Sequence, residues 1–206
     1  MKKLIYMMVY LIMASQLTDC KKKEDDDDST TTPPPPVNTL CDGKGGSSWM
    51  PLDSTNTWEF DYNLSAGYPI LVAKGTSTHS GKTYRVIEDA SNLMYTSDYE
   101  VREDASTHDL YKYSDGSGQE YLEVPGSPSV NQVWPINSGK SRKITSVNAT
   151  LSTSSCNYTG LLEMQELDAS LTLVYTYYFK KGLGMVKKEG VGTFASIYTL
   201  DDVTLK

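Results

Sequence analysis

An all-β fold is predicted for most of this chain: an antiparallel barrel or sandwich of about ten to twelve short strands, following a signal peptide and a disordered tether. Three observations predict it. Trp58, Phe60, Tyr62 and Leu64 alternate with polar residues, and Leu171, Leu173, Tyr175, Tyr177 and Phe179 do the same later in the chain, which is the period of a half-buried strand. Clusters of Gly, Pro, Ser, Asn and Asp recur at hairpin spacing between such runs. No window keeps the 3.6-residue apolar period of a helix.

The first residues are of another kind. Met1-Lys2-Lys3 is a positive n-region, and Leu4 to Ala14 is an uncharged apolar run, long enough for a signal peptide and too short for a transmembrane helix. Cys20 follows Leu17-Thr18-Asp19. Lys21 to Lys23, the acidic run Glu24 to Asp28 and the stretch Ser29 to Val37 with Pro33 to Pro36 read as a charged, semi-rigid spacer. The expected organisation is therefore 1–19 signal peptide, 20–38 tether and 39–206 one β domain.

Within that domain Pro51-Leu52 and Asp53 to Asn56 lead into the strand at Trp58. Tyr68 to Ala73 and Lys82 to Ile87 are the next two strands, with Gly75 to Gly81 as the loop between them. Leu93 to Val101, Asp109 to Tyr113, Glu120 to Val124 and Gln132 to Ile136 each run into a turn signal. Lys143 to Leu151 changes apolar register between Ile144 and Val147, the mark of a bulge. Asn157 to Leu167 precedes the Tyr-rich strand, which passes through Lys181-Gly-Leu-Gly into Met185 to Lys188. A last strand starts near Thr193.

Two resemblances accompany these residues. Leu17-Thr18-Asp19-Cys20 resembles the lipobox of bacterial lipoproteins, with Asp19 in place of the usual small residue; the resemblance implies that Cys20 becomes the lipidated N-terminus. Acidic residues soon after such a cysteine resemble the surface-export signal of Bacteroidetes lipoproteins. Pro51-Leu52 before Trp58-Glu-Phe, Val130-Asn-Gln-Val-Trp134, and Tyr177-Tyr-Phe-Lys-Lys-Gly-Leu-Gly-Met-Val186 resemble motifs of a group of uncharacterised Bacteroidetes outer-membrane lipoproteins. That likeness implies an antiparallel sheet and no particular activity. It places the chain on the outer membrane, lipid-anchored at the cell surface, with a periplasm-facing position as the alternative.

Charge narrows the partners. Removing residues 1–19 takes away Lys2, Lys3 and Asp19 and leaves 17 basic against 25 acidic residues, net −8. Such a domain has no electrostatic footprint for nucleic acid. Once Cys20 is set aside, Cys41 and Cys156 remain as an even pair in an oxidising compartment, and a disulfide between them is expected.

Catalytic signals are missing from the pattern. Gly75 to Thr83 mimics a phosphate loop but has one residue too many between its glycines and joins two strands, where a phosphate loop must open a helix. His79 and His108 sit in polar stretches with no ligand cluster at metal spacing. Glu59 and Asp61 share a strand face and are expected to be solvated. No catalytic residue, metal ligand or cofactor is assigned. The expected function is non-catalytic: a membrane-anchored β domain that binds a small apolar or glycan ligand. The alternative is a structural or interaction module that binds a protein partner through an exposed Tyr-rich sheet face.

Overall fold

The computed structural model describes residues 39–64, 67–95 and 99–206. The expected signal peptide, Cys20 and the tether lie outside the described residues. Twelve strands follow a one-turn helix, α1 (Thr39–Asp42). They are β1 (Thr57–Tyr62), β2 (Ile70–His79), β3 (Lys82–Asp89), β4 (Tyr99–Glu103), β5 (Leu110–Ser114), β6 (Gln119–Val124), β7 (Val133–Pro135), β8 (Ser141–Ser152), β9 (Asn157–Leu167), β10 (Leu173–Lys180), β11 (Gly184–Gly190) and β12 (Ile197–Thr204).

All twelve belong to one antiparallel sheet, ordered β6-β5-β4-β3-β2-β1-β12-β11-β10-β9-β8-β7. Every strand pairs with its chain neighbours except β6 with β7, and β1 also pairs with β12. The meander thus curls into a nearly closed barrel whose single seam lies between β6 and β7. Consecutive hairpin pairing was the expectation; of barrel and sandwich, the sheet adopts the barrel.

The seam leaves backbone carbonyls of β6 without a ladder partner, and a buried unpaired carbonyl is costly. Three side chains cover this edge instead, two reaching β6 across the seam and one, from the N-terminal segment, reaching Pro125 just past its end. Trp134 Nε1 donates to Leu122 O at 2.9 Å, Arg142 Nη1 to Glu123 O at 2.8 Å, and Trp49 Nε1 to Pro125 O at 2.9 Å. Pro135 ends the three-residue β7, a strand at an edge where the missing N–H is tolerated.

Two stretches differ from expectation. The β2–β3 hairpin was expected to have a loop from Gly75 to Gly81, but the strands run on and only Ser80 and Gly81 turn, with φ of 50° and 77°. Two left-handed residues give the twist that a tight hairpin needs. Leu93 to Val101 was expected as one strand, and β4 begins only at Tyr99. The Asp89 carboxylate captures the N–H groups of Ser91, Met94 and Tyr95, so residues 90–95 fold into a turn that a strand ladder cannot share. The bulge in β8 is present, with register shifts from Ile144 onward.

The N-terminal segment seals one end of the barrel. Cys41 and Cys156 form the expected disulfide, and Tyr158 donates its hydroxyl to Leu40 O at 3.2 Å. Lys44 N donates to Gly182 O and Gly182 N to Ser48 O. Trp58 Nε1 donates to Leu183 O at 2.7 Å. Above this plug lies the apolar core, in which Phe60, Ile87, Val101, Leu110, Ile144, Leu162, Met164 and Val186 are essentially inaccessible.

The close approach at the plug requires glycine. Gly182 has φ +74°, and a Cβ there would stand 2.7 Å from Gly45 O and 2.8 Å from Gly45 N. Gly182→Ala should therefore lower stability by about 2–3 kcal/mol. Gly81→Ala, with φ +77° and nothing within 4 Å, carries only the backbone strain of about 1 kcal/mol. Thermal unfolding of both variants checks this: equal losses would mean that the plug does not pack on the β10–β11 turn as described.

Candidate functional site

The sheet's inner face changes character along the barrel. On β8, Ile144 is followed toward the far end by Arg142; on β9, Leu162 and Met164 by Glu166; on β11, Val186 by Lys188; on β5, Leu110 by Lys112. Because residues two apart share a strand face, each charged side chain points inward above an apolar one. The disulfide sits at the β8–β9 turn, and Arg142 and Glu166 pair at the opposite end of that hairpin. The polar layer is therefore at the end away from the plug.

There the barrel holds a cavity of about 260 Å³. Its wall carries five tyrosines, Tyr95, Tyr99, Tyr121, Tyr175 and Tyr177, and six charged residues, Lys112, Lys140, Arg142, Lys188, Glu123 and Glu166. Asn137 and Lys140, from the turn between β7 and β8, stand at its rim, where the Lys140 side chain is 35% exposed.

Four of these six charges are internally satisfied. Arg142 Nη1 lies 2.9 Å from Glu123 Oε1, and Arg142 Nη2 lies 3.5 Å from Glu166 Oε2. Lys140 Nζ is 2.9 Å from Glu166 Oε1, and Tyr177 donates its hydroxyl to Glu166 Oε2 at 3.0 Å. Burial works against ionisation of Glu166, but Arg142, Lys140 and Tyr177 together hold its carboxyl below the ordinary range. Arg142 Nε is buried and has no hydrogen-bond partner among the described residues.

Lys112 and Lys188 are different. Among the described residues neither has a carboxylate within ion-pair distance; both face aromatic rings. Lys188 Nζ lies 4.5 Å from the centre of the Tyr175 ring, and Lys112 Nζ 4.4 Å from that of Tyr99. Burial pushes the Lys188 ammonium down to about 8, with Lys112 and Arg142 adding repulsion against a partial offset from Glu166 and Glu123. Lys112 is lowered as well, again chiefly by burial.

Tyr95 reaches the cavity because Asp89 fixes the turn that carries it. Burial opposes the Asp89 charge, yet hydrogen bonds from the Ser91 hydroxyl and from the N–H groups of Tyr95, Met94 and Ser91 keep it ionised below its usual value. Tyr198 supports the same turn by donating to Leu93 O at 3.2 Å.

The residues singled out from the sequence fall elsewhere. Cys41 and Cys156 belong to the plug. Glu59 is half-buried and Asp61 exposed on β1, as a solvated pair. His108 lies in the β4–β5 turn, with Nδ1 2.8 Å from Glu103 Oε1. His79 is in fact the last residue of β2, with Nε2 2.5 Å from Glu100 Oε2 and its ring stacked on Tyr113 at 3.7 Å. Their ligand atoms and that of exposed Asp115 lie within 4.8 Å of one another, a grouping that could hold a cation. Sequence reasoning missed Arg142, Glu166, Lys188 and Lys112. The available signal was parity: each stands two residues from a core residue on its own strand.

These features define a twelve-stranded barrel of the up-and-down kind, sealed by its N-terminal segment at one end and carrying a cationic, tyrosine-walled cavity at the other. No family model and no curated protein matches the chain. Among solved structures it is similar to "a putative exported protein with YmcC-like fold" from Bacteroides fragilis, at 10% identity and a TM-score of 0.40, over 76% of this chain and 98% of that one.

Proposed function

We propose that this protein is a non-catalytic, lipid-anchored envelope protein that binds one small polar ligand, of glycan type, in the open end of its barrel. The observation that carries the reading is the cavity: a barrel closed at one end, with tyrosine faces and spare polar groups at the other, is built as a cup. Its lining favours a glycan over an apolar ligand, because the charged side chains at its wall would be stripped of water by a hydrocarbon. The alternative protein-binding sheet face has less support. Tyr68, 51% accessible, is the one largely exposed tyrosine among the described residues, whereas five line the cavity.

The envelope location rests on the n-region, the apolar run, Cys20 and the acidic tether. The chain enters the domain at the plugged end, which leaves the cavity mouth on the far side from Cys41. Cys20→Ala should move the protein from the membrane fraction to the soluble fraction, since one acyl chain gives only marginal anchoring and two or more hold firmly. Unchanged partitioning would remove the anchor from the proposal. Native mass spectrometry of the purified full-length chain tests the ligand: a stoichiometric small molecule that Tyr175→Ala sheds supports the cup, and retention by that variant places the molecule elsewhere.

A further inference from the structure

We propose that the cavity selects a small organic acid built on a hydroxylated ring, of which a hexuronate is the simplest member, gripped through its carboxylate by Lys112 and Lys188. This rests on the ligand-binding reading of the same cavity.

The charge of the wall is the first argument. Four basic and two acidic side chains line the cavity, a local surplus of two positive charges inside a chain of net charge −7. Desolvated cations without partners are costly, and Glu123 and Glu166 are already engaged by Arg142 and Lys140. Only the two amines on ring faces remain to be paired. The buried Arg142 Nε, unpartnered among the described residues, is a further donor in search of an acceptor. A carboxylate supplies both the missing charge and the missing acceptors.

The second argument is shape. Tyr95, Tyr99, Tyr121, Tyr175 and Tyr177 bring aromatic surface and hydroxyl groups to one wall, a lining that suits a ring with apolar faces and hydroxylated edges. A cavity of about 260 Å³ lies just below the range of drug-sized sites, so it admits a single ring and excludes an acyl chain or a long oligosaccharide.

Protonation couples to the grip. Lys188 is faced by Glu166 and Glu123, by Lys112 and Arg142, and by the rings of Tyr95, Tyr175 and Tyr198. Its ammonium ionises near pH 8, so a bound carboxylate should draw a proton onto it and binding should weaken as pH rises through and beyond that value.

Isothermal titration of the purified full-length chain with glucuronate, glucose and inorganic phosphate tests this. Glucuronate should bind well above the other two, and Lys188→Gln and Lys112→Gln should each weaken it by about 10–100-fold without lowering the melting temperature. Raising the pH from 7 to 9 should weaken wild-type binding and leave the residual binding of Lys188→Gln less affected. Equal binding of glucose and glucuronate, or a Lys188→Gln variant with wild-type affinity, overturns the acid selectivity and leaves the ligand-binding cup standing. Tighter phosphate than glucuronate overturns the ring requirement. Failure of all three probes together with an empty native mass spectrum overturns both readings.

Discussion

Arg142→Met should lower the stability of the domain by about 3–5 kcal/mol, the range for removing one member of a buried ionic group. Arg142 is 5% exposed and its partners Glu123 and Glu166 are 7% and 5% exposed. The substitution leaves Glu123 buried without its cation and Glu166 with Lys140 alone. It also removes the donor that satisfies Glu123 O across the β6–β7 seam, so the barrel's one unzipped edge loses a closure. Urea unfolding of wild type and variant measures the loss. The triple variant Arg142→Met, Glu123→Gln, Glu166→Gln should recover much of it, because neutral side chains cost less to bury than stranded carboxylates.

The pH dependence of that variant follows from the sign of the Glu166 shift. In the wild type the folded-state carboxyl titrates below its ordinary value of 4.5, so its contribution is full above that value and is lost as pH falls through the folded pKa. Without Arg142 the main cause of the lowering is gone and burial dominates. The gap between variant and wild type should then narrow as the medium is acidified. A gap that stays constant from pH 7 to pH 4, or a single variant within about 1 kcal/mol of wild type, would show that the cluster is not what holds the seam.

How much of this was legible in the sequence depends on the range of the interaction. Alternation at Trp58, Phe60 and Tyr62 and at Tyr175, Tyr177 and Phe179 is a local property of a strand with one buried face, and β1 and β10 lie where it placed them. The β8 bulge showed as a slip between Ile144 and Val147 because a one-residue insertion must flip the pattern. The turn at residues 90–95 did not show, since its cause is one carboxylate, Asp89, competing with the ladder for three N–H groups. The second half of β2, from Lys74 to His79, was missed for the opposite reason: polar residues on both faces carry no period. The cavity was legible only in retrospect. Arg142, Glu166 and Lys188 each stand at inward parity, but a single strand cannot say whether an inward charge meets a partner; that depends on register across β8, β9, β10 and β11. The alternative reading put the Tyr-rich face outside, whereas closure of the sheet places five tyrosines in the cavity wall.

Loss of the Cys41–Cys156 bond should be the other large effect, about 4–5 kcal/mol in the chain-entropy account for a bond spanning 115 residues. Cys41→Ala is the variant to use, since Cys41 is half-exposed whereas Cys156 is 5% exposed and a change there would disturb packing as well. Part of the cost is local. Residues 43–50 cover the barrel end through Lys44, Ser48 and Trp49, and α1, at four residues, is too short to hold itself. Once untied, the plug should open before the barrel does. Hydrogen exchange in Cys41→Ala should therefore speed up at residues 43–50 and at the β10–β11 turn while β8 and β9 stay protected, and the urea midpoint should fall. Uniform acceleration across all twelve strands would instead mean that the bond acts only on the unfolded chain, and that the plug is held by Trp49 and Gly182 without it. The two outcomes separate the entropic share of the disulfide from its structural share, and only the first would leave the cavity wall carried by β8 and β9 indifferent to reduction.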